Sequence, residues 1–152
     1  MNDKTAVVSD EALRSSQQVL SFLEGQVLEC AQRAKEKLGG PLNQELIRLF
    51  LQDSDCVRYS TKLVFTREGL EPHQFGDVYF FESDGGRCCE LRIDPIHQED
   101  TEGLPFLIAY LTSVINYGSL VLPEMCLHYG AELMGLDAEA FYGRICEIVD
   151  GK

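Results

Sequence analysis

The sequence predicts an α+β domain: a three-stranded antiparallel meander packed against about five helices, with a long N-terminal helix and a helical C-terminal half. Three observations predict it. Apolar residues recur at helical spacing up to Gln52 and again from Pro105 onward. Between them lie three short β-rich segments punctuated by glycine and proline. Strands segregated from helices in this way favour α+β over a parallel α/β sheet. The length of 152 residues suits one domain spanning 1–152, since compact domains most often hold about 100–150 residues.

Ser9 and Asp10 are good N-cap residues for the first helix. Residues 1–8 are expected to be loosely held. Leu13, Leu20, Val27 and Ala34 then recur every seven residues, with Leu23 and Cys30 as a second row. Ser16 and Lys37 interrupt that row, so helix pairing is hinted at but a sustained coiled coil is not supported. Gly39-Gly40 stops the helix. Pro41 suits the first turn of a second one, carrying Leu42, Leu46, Ile47, Phe50 and Leu51 until Asp53-Ser54-Asp55.

Strands are expected at Lys62–Thr66, Asp77–Glu82 and Arg87–Asp94. Ser83-Asp84-Gly85-Gly86 marks a hairpin between the last two, because tight hairpins need positive φ. In the third strand Cys89, Leu91 and Ile93 point one way, and Cys88, Glu90 and Arg92 the other. The Asp77–Glu82 strand is read as the middle one. Its Val78 and Phe80 face one side, Tyr79 and Phe81 the other, so both faces are apolar. A sheet covered on one side should alternate apolar and polar. The second face therefore calls for cover by the N-terminal helix, a second subunit or a ligand, with the chain's own helix the default.

Pro105 opens an apolar helix that runs to about Tyr117, with Gly118 as C-cap. Residues 103–123 carry no charge, but the run holds Pro105, Asn116 and Gly118 and is flanked by acids, which reads as a core helix and not a membrane span. Pro123 opens another helix ending near Gly135, and Asp137 caps the last.

Composition narrows function by exclusion. The net charge of −12, from 25 acidic and 13 basic residues, repels phosphate backbones and anionic lipid, so neither nucleic acid nor membrane is an expected partner. Nine of the basic residues lie between Arg33 and Arg92. The start of the chain lacks the apolar core of a signal peptide, and the six cysteines contain no C-x-x-C. Reduced thiols and a cytoplasmic location are expected.

No motif commits the chain to a reaction, and no catalytic residue is assigned. Glu124, His128 and Glu132 follow at i, i+4 and i+8 on one helix, a stripe that with His97 from the acidic loop would suit a divalent transition metal. An amphipathic helix also needs a wet side, and the stripe serves equally as that. Cys88 is the candidate reactive thiol, beside Arg87 and Arg92. Tyr79, Phe81, Tyr110 and Tyr117 are candidate interface or pocket residues, the last two on an apolar helix facing the sheet. The favoured reading is a non-enzymatic, soluble interaction module that self-associates or holds a protein partner. The alternatives are a small metal-binding protein or metal-dependent enzyme, and a small-molecule-binding domain.

Overall fold

The computed structural model describes residues 2–152, with side chains described for Gln18 and from Ser21 onward. Met1 and the side chains of residues 2–8, on which the expectation of a loosely held start falls, lie outside the described residues, as do the side chains of Leu13 and Leu20. The elements run α1 (Asn2–Leu38), a 3-10 turn (Gln44–Leu46), α2 (Ile47–Gln52), β1 (Thr61–Phe65), β2 (Gly76–Ser83) and β3 (Gly86–Ile93). They continue through α3 (Leu104–Tyr117), α4 (Pro123–Met134) and α5 (Ala138–Asp150), with two further 3-10 turns at Pro95–His97 and Gly118–Leu120.

Five α-helices and a three-stranded sheet make the fold α+β, but the sheet is not an antiparallel meander. Its order is β1-β3-β2, with β1 parallel to β3 and β2 antiparallel to it. The middle strand is thus β3, not the Val-Tyr-Phe-Phe strand. The segment after β1 is long enough to step across the end of β3. Thr66 N–H donates to the Ile93 carbonyl on one side at 3.0 Å, and Asp94 N–H donates to the Phe75 carbonyl on the other at 2.9 Å. Arg67 staples this crossing, donating to the carbonyls of Gln74 and Glu71 and pairing with Asp94 at 2.8 Å. The hairpin itself is as expected, with Ser83 opposite Gly86, whose φ is 109°.

The register sets two faces. On the inner face lie Thr61, Cys89 and Phe80, then Leu63, Leu91 and Val78, then Phe65, Ile93 and Gly76. Cys89, Leu91 and Ile93 are fully buried there. Gly76 permits a close approach: a Cβ at that position would lie 2.9 Å from Leu111 Cδ1 of α3. This inner face packs on α3, whose Leu107, Ile108 and Leu111 are buried. The uncharged run is therefore the core helix. Among the described residues, no helix is long and apolar enough to cross a membrane.

The helix boundaries follow local chemistry. Gly118 and Gly135, at φ 56° and 72°, end α3 and α4. Asp137 caps α5 by accepting from Ala140 N–H at 2.7 Å. Two ends differ from expectation. Helix α1 begins at Asn2 and runs through Ser9 and Asp10, since neither proline nor glycine interrupts residues 2–24. Pro41 precedes the second helical stretch without opening it. Asn43 caps the 3-10 turn there, and α2 proper is a helix of 6 residues.

Among the described residues, helix α1 is not packed on the sheet. It packs along α4 through Val27, Ala31 and Ala34, all fully buried. Its 37 residues make it about 55 Å long, against about 18 Å for the 12 residues of α4.

Candidate functional site

Among the described residues, α3 and α2 meet the sheet on its inner face, α3 through Gly76 and Leu111, α2 with Ile47 and Leu51 beside Thr61 and Leu63. The outer face carries Lys62, Val64, Cys88, Glu90, Arg92, Asp77, Tyr79 and Phe81 by strand alternation. Among the described residues no helix lies across it. Tyr79 is 49% exposed. Its ring stacks on Phe81 with centroids 6.2 Å apart and planes 19° apart.

Arg92 organises this face. Its Cζ sits 4.3 Å above the Tyr79 ring. Its Nε donates to Glu90 at 3.0 Å and one terminal nitrogen donates to the Glu68 carbonyl at 3.2 Å. The Arg92 side chain is 15% exposed, so its guanidinium forms a fixed platform over the Tyr79 ring. A cation held over an aromatic ring contributes about 0.5–1 kcal/mol even near the surface. Lys62 lies at the β1 edge of the face and has no ion-pair partner among the described residues. Asp77 lies at the β2 edge, opposite Arg92.

Cys88 belongs to the same face. It is half-buried, with Sγ 3.3 Å from the Ser83 hydroxyl. The two cations expected to favour its thiolate are engaged elsewhere: Arg87 pairs with Glu82 at 3.7 Å and Arg92 with Glu90. Burial pushes the thiols of Cys56, Cys89 and Cys126 up to about 11. All six cysteines are free.

The helix stripe does not gather into a cluster. Glu124 and His128 are exposed on α4. Glu132 turns toward α1, 3.6 Å from Lys35 Nζ. Eight residues at 3.6 per turn rotate a side chain by about 80°, which carries Glu132 off the line of Glu124. His97 is buried at the 3-10 turn before α3, and its Nδ1 has no hydrogen-bond partner. Among the described residues, no three His, Cys, Asp or Glu side chains are grouped to hold a metal ion.

The two tyrosines of α3 serve different places. Tyr110 is half-buried against Phe75 in an edge-to-face contact at 5.8 Å, in a cleft of about 340 Å³ at the start of β2. Tyr117 faces α1, its hydroxyl 3.4 Å from Cys30 Sγ. Sequence reasoning missed Arg92 as the partner of Tyr79. The signal was present, since Arg92 alternates onto the face of Tyr79 once β3 is placed beside β2. No protein-family model, curated protein or solved structure matches this chain.

Proposed function

We propose that this protein is a non-enzymatic interaction module and that the outer face of its sheet holds a second copy of the chain. The observation that carries this reading is the stacked pair of exposed Tyr79 and half-buried Phe81, with Arg92 held over the Tyr79 ring. Aromatic residues and arginine are enriched at interface cores. Arg92 is already fixed in place, so docking costs little side-chain entropy there.

Charge favours a second copy over an unrelated partner. A two-fold axis lying between the two faces and parallel to the strands would set the Lys62 edge of one sheet against the Asp77 edge of the other. That pairs a lysine lacking a carboxylate with an acid on the opposite rim. An isologous contact needs this kind of self-complementarity. Free thiols at all six cysteines fit a soluble protein of a reducing compartment, the cytoplasm.

Light scattering over a dilution series tests the reading. The expected mass is twice the chain's 17.1 kDa, falling to a single chain in the double variant Tyr79→Glu, Phe81→Glu with its circular dichroism unchanged. A single-chain mass at every concentration overturns self-association. A dimer indifferent to both substitutions overturns the assignment to this face.

A further inference from the structure

A second feature lies between α1, the 53–58 turn and the end of α3. They enclose a cleft of about 580 Å³, within the range of about 300–1,000 Å³ typical of small-molecule sites. Three cations line it, Arg33, Lys37 and Arg58, against one carboxylate, Asp55. This is a positive pocket in a chain of net charge −12.

The three cations are not equivalent. Lys37 is consumed by Asp53 and Asp55, at 2.9 and 2.6 Å. Arg33 and Arg58 pair with no carboxylate among the described residues. Arg33 donates to Cys30 Sγ at 3.4 Å, and Arg58 lies over the Tyr59 ring at 5.4 Å. The wall that carries Arg58 is fixed from behind. Asn116 Oδ1 accepts the Arg58 backbone N–H at 2.8 Å, and its Nδ2 donates to the Cys56 carbonyl at 3.4 Å.

A buried side chain that does not itself line the cleft supplies an independent observation. The Tyr129 side chain is fully buried and its hydroxyl has no hydrogen-bond partner. The polar groups that bear on it are Cys56, Cys30 and Tyr117, all three of them lining the cleft. An unpaired buried hydroxyl costs about 1–3 kcal/mol.

We propose that this cleft binds a small organic oxyanion, a phosphate monoester or a dicarboxylate, clamped between the guanidinium groups of Arg33 and Arg58 and hydrogen-bonded by the Tyr117 hydroxyl. Planar guanidinium forks bind such oxygens in pairs, and two of them on opposite walls suit a doubly charged ligand. Burial pushes the Cys56 thiol up to about 11, which keeps it a neutral neighbour of the bound anion.

Calorimetric titration at low salt tests this, with inorganic phosphate, glycerol 3-phosphate and succinate as probes. At least one probe is expected to bind, more weakly as salt is added. Arg33→Gln and Arg58→Gln should each weaken it at least about tenfold, with unchanged melting temperature because both side chains are exposed. A response to glycerol 3-phosphate alone assigns a phosphate ester, and one to succinate alone a dicarboxylate. Binding of inorganic phosphate without either organic probe, equal affinity in the arginine variants, or no heat from any probe up to about 10 mM overturns the proposal.

Discussion

Gly130 is where a single added methyl group should do the most damage. It lies buried in α4, facing α5, and a Cβ there would fall inside the Phe141 ring, onto Cζ and Cε2 and 3.0 Å from Cε1. Phe141 is fully buried and stacks on Phe106 at 6.1 Å, so the ring has little room to withdraw. Overpacking of this kind costs up to about 3 kcal/mol. Alanine recovers about 1 kcal/mol of helix propensity over glycine. The net loss for Gly130→Ala is therefore about 2 kcal/mol, or roughly 6 °C at about 3 °C per kcal/mol for a chain of this length. Gly143 in α5 supplies the control, since nothing lies within 4 Å of its added Cβ. Gly143→Ala should raise the midpoint by about 3 °C through propensity alone. Thermal unfolding followed by far-UV circular dichroism reads both. A Gly130→Ala variant as stable as the parent would refute the close packing of α4 on α5. If the clash is the cause, combining it with Phe141→Leu should cost less than the sum of the two, by about 1 kcal/mol or more.

Three further outcomes are expected. Burial holds the His97 imidazole below its usual value, with Lys152 adding to the effect and Asp94 and Asp100 opposing it. The unfolded chain therefore takes up a proton first as pH falls through about 6.5, and stability drops below that point; His97→Gln should flatten the melting curve between about pH 7 and about pH 5, and an unchanged slope would exclude His97 as the cause. Tyr129→Phe should stabilise the ligand-free protein by about 1 kcal/mol, because it deletes an unpaired buried hydroxyl; destabilisation in urea would mean the hydroxyl has a partner. A disulfide reagent should titrate three thiols in the native protein, those of half-buried Cys30, Cys88 and Cys146, and six only after unfolding; six reacting at once would contradict the burial of Cys56, Cys89 and Cys126.

The elements were legible where the signal is local. Gly118, Gly135 and Asp137 stop and start helices through their own backbone and side-chain chemistry, and the three strands fall within a residue of their expected bounds. The strand order was not legible. Alternation tells which residues share a face, while the neighbour of a strand depends on where the 66–75 segment travels, and that is fixed by Arg67 bonding to Glu71, Gln74 and Asp94. Which of the possible covers lies on the sheet was not legible for a related reason. An apolar stripe on α1 requires a partner but does not say which, and the partner is α4. Of the basic cleft only Tyr117 was legible as a pocket residue, because Arg33, Arg58 and Tyr117 come from three separate segments and no local pattern joins them.

Placing the last-made strand at the centre also bears on how the chain folds as it is synthesised. Neither β1 nor β2 bonds to the other; each has β3 as its sole partner in the sheet. At about 5–20 residues per second, both edge strands wait on the order of a second or more for their template. The hairpin should then close first across its two-residue turn, and β1 should dock last onto a preformed edge, the slower step because its loop is longer. A nascent chain that stalls before Gly86 holds two apolar strands and no sheet, which makes that stretch of synthesis the interval when the protein most needs a chaperone.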